Sequence, residues 1–334
     1  MLTLGIETSC DETSAAVVRD GREVLSNIIL SQVVHTRFGG VVPEIASREH
    51  VRAIVPVFNQ SLADAGMALD DIELIAATMG PGLVGPLLVG LTFAKALAYA
   101  RQLPFVPVNH IEGHITANIL EHADLDEHHL TLVVSGGHTL LVEVVRFGEY
   151  NILGRTRDDA AGEAFDKVAK LMGLGYPGGA QIHILARDGN PQYHRFPRAL
   201  RHEEYEFSFS GLKTAVALFL QKLSKQEFEQ HRADIAASFQ EAVVEILVEK
   251  TVRAAAEKDT RHVTLSGGVA ANSRLRQRLS DQLDRQHRKL FYPSTNLCTD
   301  NAAMIAAAGY FRYGIMGPGE LIANAIPYLT LDQA

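Results

Sequence analysis

Apolar and polar positions fall into one pattern twice along the chain. Leu2-Thr3-Leu4-Gly5-Ile6-Glu7-Thr8-Ser9 leads through Cys10-Asp11-Glu12-Thr13 into Ser14-Ala15-Ala16-Val17-Val18-Arg19-Asp20-Gly21. Later, Leu130-Thr131-Leu132-Val133-Val134-Ser135-Gly136-Gly137-His138 leads into Thr139-Leu140-Leu141-Val142-Glu143-Val144-Val145-Arg146-Phe147-Gly148. Each reads as an apolar strand, a small polar turn and a second β-rich strand. A turn of Ser, Thr and Gly can aim backbone N–H groups at one spot, which suits a phosphate or carboxylate. One copy is an ordinary hairpin; two copies point to a duplicated fold with a cleft between its halves.

Helical spacing joins Ile235, Phe239, Val243, Ile246 and Leu247, and again Leu275, Leu279 and Leu283. Two further strands run into glycines: Leu74 to Thr78 into Gly80-Pro81-Gly82, and His262 to Leu265 into Ser266-Gly267-Gly268-Val269-Ala270-Ala271-Asn272. At each, the glycines are expected to open a helix and turn N–H groups toward an anion. Neither is a P-loop or a G-x-G-x-x-G fingerprint. A hairpin at the start of each half predicts an α/β protein of two domains, not one doubly wound sheet. The polar stretch from Arg187 to Glu206 predicts a long surface loop.

The chain has 334 residues, 47% hydrophobic and 21% charged, which allows roughly two domains and excludes disorder or fibrous repeats as a description of the whole. Its net charge of −8 excludes a generic polyanion-coating protein, so any RNA surface must be a local basic patch. Two cysteines, Cys10 and Cys298, argue for a reducing compartment. The start carries no basic segment, against a signal peptide. The apolar run Met79 to Ala94 is broken by Gly and Pro and reads as a buried turn and helix. The expectation is a cytoplasmic protein with no membrane partner.

His110-Ile111-Glu112-Gly113-His114 places two imidazoles on one face of a helix, a spacing that can serve one metal ion. Fourteen histidines yield about half such a pair by chance, so two satisfied surface histidines are an equal reading. The H-E-x-x-H order of zinc proteases is absent, and with it that mechanism's general base. A third ligand must come from far away. Asp300 is a candidate, against an N-cap role for the Ala-rich helix that follows, and Cys298 is the alternative ligand. Asp158 and Asp159 are expected to complement a helix dipole, while Glu163 and Asp166 could contact ribose hydroxyls. Tyr176-Pro177-Gly178-Gly179 makes a turn against which a flat ring can lie. Arg195, Arg198, Arg201 and His202, interleaved with Tyr193, Phe196 and Tyr205, form the better RNA candidate. Arg274, Arg278, Arg285 and Lys289 read as a solvated helix face.

These motifs, in this order, resemble the TsaD (YgjD/Gcp) family of tRNA N6-adenosine threonylcarbamoyltransferases, formerly called O-sialoglycoprotein endopeptidases. The resemblance rests on Gly5 to Thr13, Gly39 to Glu44 with Ala46-Ser47-Arg48 and His50, Gly80 to Leu83, and Asn109 to His114. It continues through Val134 to Thr139, Asp158 to Lys167, Phe209 to Thr214, Gly267 to Val269 with Asn272, and Cys298 to Asn301. It implies an actin/Hsp70/sugar-kinase-like fold, two RNase-H-like domains around a nucleotide-binding cleft, taken here as 1–128 plus 300–334 and 129–299. It implies that His110, His114 and Asp300 ligate one divalent metal, iron or zinc, per subunit. Val133, Val134, Ser135, Gly136, Gly137, Asp166, Gly179 and Asn272 would then bind threonylcarbamoyl-AMP. Asp11 and Glu12 are the catalytic candidates, for taking the amine proton or positioning the tRNA adenosine. The implied partners are tRNA, a shorter paralogue of the same fold and a P-loop ATPase. The alternatives are an ATP-dependent small-molecule kinase of this fold and a non-catalytic nucleotide-binding scaffold. Departures from the family pattern are His183, where many members have Asp, Pro86 for a small residue, and a tail at Ile326-Pro327-Tyr328 without a basic stretch.

Overall fold

β1 (Leu2–Glu7) and β2 (Glu12–Arg19) form the first expected hairpin, with Glu7 opposite Ser14. β3 (Glu23–Ser31) adds antiparallel to β2, and β4 (Leu74–Gly80) and β5 (Phe105–Asn109) add parallel beyond β1. The order is β3-β2-β1-β4-β5. The second expected hairpin, β6 (His129–Val134) with β7 (Thr139–Arg146), is flanked by β8 (Glu149–Arg155) on one side and by parallel β9 (His262–Ser266) and β10 (Lys289–Phe291) on the other. Its order, β10-β9-β6-β7-β8, repeats the first sheet strand for strand. In the computed structural model, which describes residues 1–333, the sheets belong to two units. One comprises Met1–Leu125, Arg146–Tyr150 and the chain from Pro293 onward; the other comprises Asp126–Val145 and Asn151–Tyr292.

The first unit holds α1 (Pro43–Ala65), α2 (Val84–Arg101) and the short α3 (His110–Thr116). The second holds α4 (Ala161–Leu171), α5 (Gly178–Ala186), α6 (Ser210–Leu220), α7 (Lys225–Glu257) and α8 (Ser273–Asp284). The chain then returns to the first unit as α9 (Thr295–Cys298) and the Ala-rich α10 (Ala302–Met316). The expected helical residues of α7 and α8 are buried, Leu275, Leu279 and Leu283 completely. Among the described residues, no helix is long and apolar enough to cross a membrane, and both cysteines are free thiols.

Period-two alternation gives the first sheet two apolar faces. Leu4, Ile6, Ala15 and Val17 share a core with Ile54 and Phe58 of α1 and Leu91 and Ala94 of α2. On the other face Ala16 and Val18 pack on Ala302, Ala303 and Ala306 of α10, and Leu74, Ala76, Val106 and Val108 pack on Met304, Ile305 and Ala308. Small residues on both sides let α10 lie directly on β1. A Cβ at Gly5 would overlap the Ala302 carbonyl and stand 2.9 Å from Ala306 Cβ. This close approach fixes the N-terminus of α10, and with it Asp300, relative to the end of β1.

Three local expectations are corrected. Asp300 does not cap α10: Asn301 does, its side chain accepting from the Met304 N–H at 3.1 Å. Asp158 and Asp159 do not face the dipole of α4. Asp158 accepts the backbone N–H groups of Phe209 (2.8 Å) and Ser210 (3.1 Å) at the start of α6, and Asp159 pairs with Lys167 (2.8 Å) and Lys213 (3.0 Å). Gly80-Pro81-Gly82 opens α2 without making an anion site, because the chain's own carbonyls take the donors. Gly82 N–H donates to Pro327 O at 3.1 Å and Leu83 N–H to Ser9 O at 2.8 Å.

Candidate functional site

Because β4 and β5 run parallel to β1, the C-terminal ends of all three strands bring Glu7, Thr78 and His110 together. β5 passes directly into α3, whose N-cap Asn109 accepts the Ile111 N–H at 2.8 Å. That cap sets His110 at the first helical position and His114 one turn on, their rings edge to face at 4.7 Å. Asp300 Oδ1 lies 3.5 Å from His110 Nε2 and 3.2 Å from His114 Nε2. One candidate ligand atom from each residue falls within 4.8 Å of the other two. Cys298, the alternative ligand, is outside this group, buried with its Sγ donating to Pro293 O at 3.3 Å.

The donor set fits a divalent ion. His114 is fully buried, and neither ring nitrogen makes a hydrogen bond, Nε2 lying 3.2 Å from the Asp300 carboxylate. Leaving a buried polar group unsatisfied costs about 1–3 kcal/mol, so the position is not explained by stability alone. Two imidazoles and a carboxylate suit zinc or iron(II) and leave coordination positions open. Burial lowers the His114 pKa against the pull of Asp300. At His110 burial also lowers the value, but the Asp300 and Glu7 carboxylates outweigh it and bring it to about 9.

Asp11 and Glu12 sit at the turn of the first hairpin, where Asp300 acts on the Glu12 carboxyl. Burial, then Asp300 and Asp11, push the Glu12 carboxyl well up; burial, Asp11 and Asp300 do the same to the Cys10 thiol. The turn is held from behind. Buried His50 donates from Nε2 to Cys10 O at 3.0 Å while its Nδ1 takes the Thr13 hydroxyl at 2.8 Å. Gln32 donates its backbone N–H to Asp11 O at 3.1 Å and is held by buried His35 at 2.9 Å. Sequence reasoning gave no role to Glu7, Gln32 or Thr78; the available signal was polar residues at the ends of apolar strands.

The residues expected to bind an adenylate all lie in the second unit. Val133 and Val134 are buried in β6, and Ser135 opens its turn, accepting the His138 N–H on Oγ at 3.1 Å. The turn lies against the start of α4, where Gly162 N–H donates to Ser135 O at 3.2 Å, and against Gly267, whose Cβ would overlap Val134 O. A Cβ on Gly136, Gly137 or Gly268 would meet nothing within 4 Å, and one on Gly179 only Phe165 at 3.8 Å. The polar side chains are engaged with one another. Asp166 Oδ1 accepts the Gly178 N–H at 2.8 Å. Asn272 caps α8 through Leu275 N–H (3.1 Å) and donates to Gln240 (2.8 Å), which also meets His183 at 2.9 Å.

In the stretch expected to meet RNA, Arg195 and His202 are exposed, whereas Arg198 and Arg201 are ion-paired. The loop from Arg187 to Glu206 is irregular, as expected, but it is strapped to α7. Arg198 pairs with Glu245 at 2.7 Å and Arg201 with Glu249 at 2.9 Å. Buried Lys250 donates to the carbonyls of Leu200 (2.7 Å) and Glu206 (2.6 Å). Tyr193 already stacks on His231, and Phe196 is buried. Arg274 and Arg278 both pair with Glu241.

Sheet order and site together define a sugar-kinase-like two-domain α/β protein with a candidate metal set in one unit. Solved structures bear out the fold alone. HypF of T. kodakarensis superposes with a TM-score of 0.63 at 15% identity, covering 94% of this chain and 48% of that one. The (R)-2-hydroxyglutaryl-CoA dehydratase component A of Acidaminococcus fermentans gives 0.58 at 14%, covering 94% and 99%. The family model for tRNA N6-adenosine threonylcarbamoyltransferase matches residues 23–307. Relatives carrying that name are 53% identical over 332 residues in Caldicellulosiruptor saccharolyticus (99% of this chain, 98% of the relative) and 52% identical over 335 residues in Clostridioides difficile (100% and 99%). The chain belongs to the tRNA N6-adenosine threonylcarbamoyltransferase family, which selects a transferase over the kinase and scaffold readings.

Proposed function

We propose that this chain takes threonylcarbamoyl-AMP as donor and the adenosine 3′ of the anticodon, position 37 of tRNAs reading codons that begin with A, as acceptor. His110, His114 and Asp300 hold one iron or zinc ion. The observation that carries the reading is the convergence of two imidazoles and one carboxylate, within 4.8 Å, beside the turn bearing Asp11 and Glu12.

The N6 lone pair attacks the carbamoyl carbon, the bond from that carbon to the phosphate oxygen breaks, and AMP leaves with the electron pair. An amine conjugated to a purine is a weak nucleophile, so loss of its proton has to accompany attack. Asp11 or Glu12 accepts that proton, from a turn that His50 and Gln32 hold in place. A bound divalent ion supplies Lewis-acid charge for the phosphate and carbonyl oxygens. In the second unit the open glycines Gly136, Gly137 and Gly179 leave room for the adenylate against bare backbone, and the Ser135–Gly137 turn supplies preorganised N–H donors. Asp166 and Asn272 complete that surface.

Incubating the protein with threonylcarbamoyl-AMP and unmodified tRNA, then analysing nucleosides, tests this directly. Threonylcarbamoyladenosine with equimolar AMP is expected; phosphoryl transfer from ATP to a small alcohol, without modified nucleoside, refutes it. For repeated turnover the chain works in the cytoplasm with a shorter paralogue of the same fold and a P-loop ATPase. A shift in hydrodynamic size on mixing checks each partner.

A further inference from the structure

Resting on the reading of His110, His114 and Asp300 as a metal set, we infer that Glu7 is the positioning residue of that set. Its carboxylate takes the Nδ1–H of His110 and leaves Nε2 as the atom turned toward the ion. Glu7 ends β1 with no exposed surface. Its Oε1 accepts the Ser9 N–H at 2.5 Å; its Oε2 accepts the Thr78 hydroxyl at 2.6 Å and faces His110 Nδ1 at 3.1 Å. Ser9 Oγ also lies 3.2 Å from that nitrogen. The partners come from the ends of β4 and β5 and from the residues just after β1, so the carboxylate ties together the three strands that present the site.

An imidazole ligates only through a nitrogen without a hydrogen, and a carboxylate on the other nitrogen decides which one that is. At His110 the two nitrogens are sorted by their neighbours: Nδ1 meets Glu7, while Nε2 faces Asp300 at 3.5 Å. His114 has no such brace, since neither nitrogen makes a hydrogen bond. The two rings therefore play unequal parts. His110 is fixed by the protein before any ion arrives, and His114 becomes satisfied when one does.

Glu7→Gln keeps the size of the side chain but not its chemistry. Ser9 N–H, Thr78 hydroxyl and His110 Nδ1–H are arranged as donors, and an amide can oppose them with an acceptor on one side only. With its NH2 toward His110, Nδ1 must accept and the ring hydrogen moves to Nε2, the ligating atom. With its oxygen toward Thr78 and His110, the NH2 confronts the Ser9 N–H and the negative charge that strengthens the ring as a ligand is lost. Thr78→Val is the control: it removes a donor from the same carboxylate oxygen and leaves the Glu7–His110 bond intact.

Metal-stripped protein titrated with Zn2+ against a chromophoric chelator reads the effect without any assay of activity. Glu7→Gln is expected to lose about 10–100-fold in zinc affinity, with Thr78→Val close to wild type. Wild-type affinity in Glu7→Gln overturns the assignment, and so does an equal loss in both variants, which marks a structural role alone. Should Glu7→Gln not fold, 15N NMR of zinc-loaded wild type decides: protonated Nδ1 with metal-bound Nε2 at His110 supports it, and metal on Nδ1 refutes it. A wild type that binds zinc no more tightly than His114→Ala refutes the metal set itself, which separates that failure from a failure of the Glu7 assignment alone.

Discussion

The two units share one strand order, yet the turns of their leading hairpins are finished in different ways. Around Ser9 to Glu12 the first unit gathers charge. Glu7, Asp11, Glu12 and Asp300 crowd beside two buried imidazoles, and His114 is left without a hydrogen bond. Around Ser135 to His138 the second unit gathers glycines, and its polar side chains are engaged: Asn272 with Gln240, Gln240 with His183, Asp166 with Gly178. On the same scaffold, charged side chains crowd at the turn in one copy and backbone lies exposed at it in the other. Side-chain donors held unsatisfied suit a cation, and bare backbone suits a ligand that needs room and N–H groups.

The sharpest way to break this division is Glu12→Ala. It is expected to depress single-turnover transfer by about 10²–10⁴-fold, the range of a lost general base, while donor affinity hardly changes. A fall in donor affinity as large as the fall in turnover would show that the first unit, too, holds the adenylate. Next, His114→Ala should abolish stoichiometric zinc binding in chelator competition. The metal-free variant should unfold in urea no more than about 2 kcal/mol below wild type, because removing two unsatisfied nitrogens offsets part of the cavity.

Paired glycine substitutions sharpen the comparison further. Gly5→Ala must push α10 away from β1 and is expected to destabilise by about 1–3 kcal/mol or more. Gly136→Ala meets nothing and should stay within about 0.5 kcal/mol of wild type while weakening donor binding. Equal stabilities, read from urea midpoints, would contradict both assignments.

The smallest effect concerns pH in the second unit. Burial raises the Asp159 pKa, but the bonds from Lys167 and Lys213 outweigh it, so the folded value is depressed. Its contribution is present above the unfolded carboxylate value of about 3.9 and is lost as pH falls through the lower folded value. The stability gap between wild type and Asp159→Asn should therefore narrow in urea melts below about pH 4. A gap independent of pH would refute the pairing.

Much of the fold was legible because its signals are local. The two strand–turn–strand runs, the spacing of Leu275, Leu279 and Leu283, and His110 with His114 at one helical turn all declare themselves within a few residues. What the sequence hid depends on distant neighbours. Between Asp300 and Asn301, adjacent and both able to cap, only the backbone path decided that Asn301 takes the cap and Asp300 turns to the histidines. Arg198 and Arg201 gave no sign in the sequence of their ion pairs with Glu245 and Glu249, which lie further along the chain on α7. Glu7 read as the end of a strand; its meaning lies in Thr78 and His110, which reach it from two other strands.

The most direct test of the whole account is a crystal of the zinc- or iron-loaded chain, measured at the metal's absorption edge. The account predicts one anomalous peak per chain, about 2.0–2.2 Å from Nε2 of both His110 and His114 and from a carboxylate oxygen of Asp300. No peak there, or a stoichiometric ion bound elsewhere while transfer activity persists, would contradict it.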